Sequence, residues 1–308
     1  MTTPPLRAPT ATQTTRARLR GWAWALVLVG AALQTGCATT TPPATPSGLP
    51  GHTAALLPAP VIILGEQHDA DTHQRWHTQV VGQLAQQQQL AALVMEMAET
   101  GRDTRGLGPQ ASETDAQSAL NWDNRGWPWE RYGPVVMAAV RAGVVVWGGN
   151  LPRPDLPSTL SDTRIDNWLD AATVAHHRAA IEASHCGLLP AAQIPRMARV
   201  QLARDRAMAQ VVGRVWRPGQ VVALVTGNEH ARSDTGVPRH LALLPPPWPQ
   251  TAGPVRVVHM RTAPLDPERG PQPSDPMAAT TTWVSEPLPP QDHCASLRRL
   301  MPGPARSP

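Results

Sequence analysis

Five short apolar runs punctuate the chain, at 61–65, 90–96, 144–149, 221–226 and 255–260. Each is rich in Val, Ile or Leu and nearly unbroken by polar residues. Strands buried on both faces show that pattern, whereas half-exposed strands alternate. Longer stretches with helical spacing lie between them, at 70–88, 129–141, 161–184 and 191–216. In the last, Ile194, Met197, Val200, Ala203, Ala207, Val211 and Val215 recur every three or four residues and mark a core-facing stripe. Strands that alternate with helices predict an α/β domain: a mostly parallel sheet covered by helices on both faces. From 263 onward the chain is Pro-rich and aperiodic, and reads as a tail in which only 281–284 and the region of Cys294 are expected to be ordered.

The residues just beyond the strands carry the candidate chemistry. They are Glu66 and His68, Glu96, Asn150, and Asn228 with His230. Gly65-Glu66-Gln67-His68 and Gly227-Asn228-Glu229-His230 are two Gly-x-x-His phrases, each at the end of an apolar strand. Open parallel sheets place their sites at the carboxyl ends of the strands, so both phrases point to one cleft. Burying charged groups against apolar strands costs energy unless they are paired or ligated, which favours convergence. The plainer reading has Glu66 and Glu96 bonded only to backbone donors and to Arg side chains such as Arg153. His73 and His77 are four apart on the first helix, a spacing that suits a transition metal, but no Glu follows His73. His77 reads as a solvated surface residue, and His73, nearer the strand, faces either the cleft or the core. Trp122, Trp127, Trp129 and Tyr132 either cap the core or form a flat apolar wall for a planar ligand.

The amino-terminal residues change what the charge means. Arg16, Arg18 and Arg20 precede an apolar run from Trp22 to Leu33, and small residues follow. This reads as a secretory signal spanning 1–36, for a lipoprotein or for plain secretion, too short in its apolar part to span a bilayer comfortably. Thr35-Gly36-Cys37 is similar to the lipobox of bacterial lipoproteins, with Gln34 where that motif usually has Leu. Lipidation of Cys37 would make 37–58, rich in Thr, Pro and Ala, a tether to the domain at 59–262. Ala38 after the cysteine points to the outer membrane, with the domain facing the periplasm. The chain has 27 basic residues, all Arg, and a net charge of +4. Four of those Arg precede Cys37 and none of the 23 acids does, so the mature part is formally neutral. No basic stripe remains for nucleic acid. Cys186 and Cys294 are the remaining cysteines, either a disulfide suited to an oxidising compartment or two separate buried thiols. Covalent c-type haem attachment is excluded, because there is no Cys-x-x-Cys-His. Tyr132 is the only phenol, so any Tyr-ligated iron must use it.

Taken together, several phrases resemble the ChaN-like haem-binding uptake lipoproteins of the Tiki superfamily. They are Gly65-Glu66-Gln67-His68-Asp69 with His73, Glu96-Met97, Trp129-x-x-Tyr132-x-Pro134 and Asn150-Leu151-Pro152-Arg153. Gln201 with Asp205 and Met208-Ala209 follow, then Gly227-Asn228-Glu229-His230 and Gly236-Val237-Pro238. The resemblance runs from about 60 to 245. It departs at Gln74, where the family often has His, and at His77, where it often has Gln. It implies an outer-membrane lipoprotein that binds haem or iron, with subunits paired as a homodimer around stacked porphyrins. Tyr132 would ligate ferric iron as phenolate, while His68, His73, His230 and Arg153 would serve the propionates, with Glu66, Glu96, Asn150 and Asn228 around them. The wider superfamily suggests a rival, a periplasmic metal-dependent hydrolase. There His68, His230 and Glu96 would hold a divalent cation, and Glu66 or Glu96 would act as general base. A lipid-anchored scaffold with an inactive cleft is the third reading.

Overall fold

The computed structural model describes residues 48–245, 248, 253–264 and 278–300. The expected signal, Cys37 and the first half of the expected tether lie outside the described residues. Six strands form one sheet: β1 (Val61–Glu66), β2 (Leu90–Glu99), β3 (Val146–Asn150), β4 (Val221–Gly227), β5 (Val255–Thr262) and β6 (Ala278–Ser285). They lie in the order β3-β2-β4-β1-β5-β6, and every pairing is parallel. The helices are α1 (Asp71–Gln86), α2 (Glu113–Leu120), α3 (Trp129–Arg141), α4 (Leu156–Ser161), α5 (Ala171–Ser184), α6 (Ile194–Val215), α7 (Asn228–Ala231), α8 (Val237–Leu241) and α9 (His293–Leu300). The expected α/β architecture is therefore present.

Successive side chains on a strand point to opposite faces, and β1 divides its residues accordingly. Ile62 and Leu64 pack in the core that contains Trp76, Val80 and Leu84 of α1 and Val135 and Val136 of α3. Val61 and Ile63 join Met208, Val211 and Val212 of α6 on the other face. Every residue of β1 and β4 is buried, which explains their uninterrupted hydrophobicity. β4 lies between β1 and β2, so the ends of these three central strands meet at one edge.

Three elements depart from the sequence reading. The stretch 161–184 is not one helix: α4 ends at Ser161, a 3-10 turn covers Thr163–Asn167, and α5 begins at Ala171. Asp170 starts α5 afresh by accepting a 2.9 Å bond from the Thr173 amide. The break creates a satellite core of Ile165, Val174, Leu202 and Ala203. α2 is begun by a reciprocal cap between Ser112 and Asp115, a Ser-x-x-Asp signal that is visible in the sequence. β6 is longer than the ordered patch expected at 281–284 and pairs with β5 from Val255↔Ala278 to Thr262↔Ser285. The sheet thus continues past 262.

Cys186 and Cys294 form a disulfide that joins α9 to the turn after α5, across a sequence separation of 108. Cross-linking a loop of this length restricts the unfolded chain, so Cys294→Ser is expected to lower stability by roughly 2–4 kcal/mol. Thermal melting of the oxidised protein checks this; an unchanged melt would show that the bond is energetically idle.

Candidate functional site

Glu66, the last residue of β1, is 2 % exposed and surrounded by donors. Its Oε1 accepts from the Tyr132 hydroxyl at 2.6 Å and lies 2.7 Å from Nδ1 of His68; its Oε2 accepts from Nε2 of Gln74 at 2.6 Å. A buried carboxylate needs such compensation, and charge-assisted bonds supply it. His68 follows in the turn, with its side chain 43 % exposed. Since Nδ1 faces a carboxylate oxygen, the proton sits there and Nε2 is the nitrogen left for a ligand. Burial opposes charge on His68, but the Glu66 bond and the nearby Glu96 charge outweigh it and raise its pKa. The Trp127 ring meets the imidazole edge-on at 4.9 Å, and Nη1 of Arg131 donates to the His68 carbonyl at 3.0 Å.

A second carboxylate–imidazole unit stands beside the first. Glu96 of β2 is 3 % exposed, and its Oε2 accepts from the Thr226 hydroxyl and the Gly227 amide, each at 2.7 Å. Nε2 of His230, on α7, lies 3.6 Å from the other oxygen, Oε1. Nδ1 of His230 is 2.6 Å from Oδ1 of Asp205 on α6. Nε2 of His177 is 3.8 Å from Oδ2 of the same aspartate and bonds the Thr235 carbonyl at 3.1 Å. Burial works against charge on His230, yet Glu96 on one side and Asp205 on the other lift its pKa to about 9. At neutral pH it is an imidazolium between carboxylates. Burial likewise pushes Glu96 up, but the His230 and His68 charges and the Thr226 and Gly227 bonds bring it down to about 2.

Glu66, His68, Glu96 and His230 are thus brought together at the carboxyl edge of the central strands. The other expected residues take different places. Tyr132 is 1 % exposed and lies beneath Glu66, to which its hydroxyl donates. Burial together with the Glu66 and Glu96 charges pushes its pKa far above the ordinary phenol value, so it keeps its proton. His73 is fully buried; it accepts from the Gln67 amide at 3.1 Å, pairs with the Ser285 hydroxyl at 3.2 Å and stacks on Trp76. It joins α1 to β6 and does not face the cleft. Asn150 stitches strand ends by donating to the Glu96 carbonyl and accepting from the Leu151 amide. Asn228 donates to the Met260 carbonyl at 2.7 Å. Arg153 is 66 % exposed and pairs with Asp123 and Glu99, so it does not neutralise Glu66 or Glu96.

One expectation is corrected. His77 is not a solvated surface residue: it is fully buried, 3.4 Å from Oε2 of Glu66, and burial holds its pKa down at about 4 despite that carboxylate. It shares the apolar stripe of α1 with Trp76, Val80 and Leu84, and that periodicity was the overlooked signal. The alternative metal set of His68, His230 and Glu96 lies at the same carboxyl edge. Among the described residues no group of three or more His, Cys, Asp or Glu could hold a metal ion. Nδ1 of His230 is engaged with Asp205 and Oε2 of Glu96 with Thr226 and Gly227, while Nε2 of His230 and Oε1 of Glu96 face each other at 3.6 Å. Asp205 and Gln74, named above only through the family resemblance, and Thr226, which was not named, are direct neighbours of the cluster. Asp205 is a fully buried acid among the core residues Leu202, Ala203 and Met208 of α6, which is itself a signal.

Comparison with known proteins gives the family and the fold. A family model described as haem-binding uptake, Tiki superfamily, ChaN, matches residues 53–241, well over half of the chain. A solved structure, cofacial heme binding to ChaN of Campylobacter jejuni, is similar in fold with a TM-score of 0.57 and 22% sequence identity. That similarity covers 70% of this chain and 86% of the other. No curated protein matches. The matched segment holds both carboxylate–imidazole units, and the chain belongs to the ChaN family of haem-binding uptake proteins in the Tiki superfamily.

Proposed function

We propose that the protein binds haem on the face formed by the carboxyl ends of β1, β2 and β4, with His68 turned to the iron. The observation that carries this is the 2.7 Å contact between Nδ1 of His68 and buried Glu66. Histidines that ligate metals commonly donate their other ring N–H to a carboxylate, which fixes the tautomer and makes the free nitrogen more basic. His68 is the exposed imidazole of the cluster, whereas His230 is enclosed between Glu96 and Asp205. Bound haem would supply a Lewis-acidic iron able to take an imidazole donor. The chain supplies an oriented imidazole, the adjacent Trp127 ring and the cation Arg131 at the rim.

The geometry favours His68 over Tyr132 as the iron ligand. A phenolate would have to form next to Glu66 and be drawn out of the core. Cavities of about 410 and 230 Å³ lie elsewhere: the larger is lined by Pro58, Pro60, Trp216 and Val221 at the opposite end of the sheet, the smaller by Trp168, Arg206 and His240. The His68 side chain is 43 % exposed at the proposed face, so a flat ligand laid on it needs a cover. The solved ChaN is described as binding haem cofacially, and we extend that arrangement to this chain, with a second copy as the cover.

Titrating ferric haem into the mature protein should shift the Soret band and double the mass seen by light scattering. Tyr132→Phe should leave the axial-ligand spectrum unchanged. A phenolate-to-iron charge-transfer band in the wild type that Tyr132→Phe abolishes would overturn the ligand assignment, and a protein that takes up no haem would leave the scaffold reading. We further propose that the chain is a lipoprotein of the outer membrane, serving haem uptake or storage from the periplasmic side. The support is the lipobox-like sequence at Cys37. Cys37→Ser should release the protein from membrane fractions; retention of the variant would contradict the anchor.

A further inference from the structure

Among the described residues, seven glycines are packed so tightly that an added Cβ would come within 3.0 Å of another atom; Gly148 and Gly236 face backbone first, and Gly65, Gly133, Gly149, Gly213 and Gly227 face side chains first. A Cβ on Gly148 would lie 2.0 Å from the Glu99 carbonyl oxygen, and one on Gly236 would lie 2.2 Å from that of His230. Main chain cannot yield there, so those glycines serve the fold. Gly227 is the glycine that faces an imidazole of the candidate site. Its φ of −67° and ψ of 154° suit any L-residue. A Cβ at this position would meet Nε2 of His68 at 2.8 Å and Cε1 at 3.0 Å, and then only Oε2 of Glu96 at an ordinary 3.7 Å. The bare Cα makes room for one thing, an imidazole that is exposed enough to swing away.

We infer that Gly227 is the seat of His68, a positioning residue whose missing side chain lets the ring lie over the end of β4 while Nδ1 stays on Glu66. The inference deepens the haem proposal, and its consequence for haem rests on that reading. Two contacts define the ring: Glu66 fixes one nitrogen, and the glycine sets how close the opposite edge approaches the strand. A methyl group on this floor would force the ring outward, and hydrogen bonds weaken steeply once distance and angle are lost. The Gly227 amide would still donate to Glu96, so the second carboxylate–imidazole unit is left intact. In the chain, the Gly of the second Gly-x-x-His phrase thus serves the His of the first.

Gly227→Ala tests this, beside His68→Ala and Gly82→Ala, a control on α1 whose Cβ meets nothing within 4 Å. Proton NMR of the haem-free protein reads the downfield Nδ1–H signal of His68, identified by its loss in His68→Ala. The signal is expected in wild type and Gly82→Ala and absent from a folded Gly227→Ala, whose haem affinity should fall at least about tenfold. A retained signal in Gly227→Ala overturns the seat. Failure of that variant to fold also overturns it, because the need for glycine would then lie in the backbone. Loss of the signal with unchanged haem affinity upholds the seat and removes His68 from haem binding.

Discussion

His68→Ala is expected to weaken ferric-haem binding more than any other single change at the site. Loss of a supporting partner of a ligating histidine costs roughly 10- to 100-fold in affinity, and loss of the ligand itself should exceed that range. Glu66→Gln should fall within it, because Gln removes the charge that holds the Nδ1 proton of His68. The order His68→Ala, then Glu66→Gln, then Tyr132→Phe follows from the chain of contacts: Tyr132 touches Glu66, and Glu66 touches His68. Equilibrium titration followed at the Soret band measures all three. Equal affinities across the series would disconnect this network from haem.

The largest effect on stability is expected at His230. Removing one member of a buried ionic group leaves uncompensated charge and typically costs about 3–5 kcal/mol. His230→Ala would leave Glu96 and Asp205 without the cation between them. The same network shapes the pH dependence. The folded pKa of His230, about 9, lies above its ordinary 6.5, so its contribution is complete below 6.5 and is lost as pH rises through about 9. Glu96 is shifted down, from 4.5 to about 2, so its contribution is complete above 4.5 and is lost as pH falls through about 2. Burial holds His77, His240 and His259 neutral, each with a pKa of about 4, so they oppose folding increasingly as pH drops from 6.5. Stability should therefore peak near pH 6.5 and decline on both sides. Denaturant melts across pH should show the alkaline decline in wild type and a flatter curve in His230→Ala. An identical alkaline slope in the variant would mean that His230 is not the group responsible.

The central strands are legible in the sequence because burial on both faces demands uninterrupted apolar runs, and β1 and β4 have them. Convergence of Glu66, His68, Glu96 and His230 is legible for a related reason: parallel strands deliver their carboxyl ends to one edge. The partners of these residues are less so. The bond from Tyr132 to Glu66 spans 66 positions and that from His230 to Asp205 spans 25, and no local pattern announces contacts at such separations. Tyr132 is the only phenol in the chain, which draws attention to it as an iron ligand. Its burial under Glu66 belongs to the packing of α3 on α1, and uniqueness of type says nothing of that. β6 is obscure for another reason. Its Thr-rich run occupies the edge of the sheet, where Thr281, Thr282 and Val284 are exposed, so it lacks the continuous hydrophobicity of a central strand.

Pulsed EPR of the ferric-haem complex, with and without ¹⁵N-labelled histidine, tests the central claim most directly. The spectrum should contain one strong hyperfine coupling from an imidazole nitrogen in addition to the porphyrin nitrogens. That coupling should respond to the label and disappear in His68→Ala. A wild-type spectrum without an imidazole coupling, or one that survives in His68→Ala, would contradict the assignment of His68 to the iron.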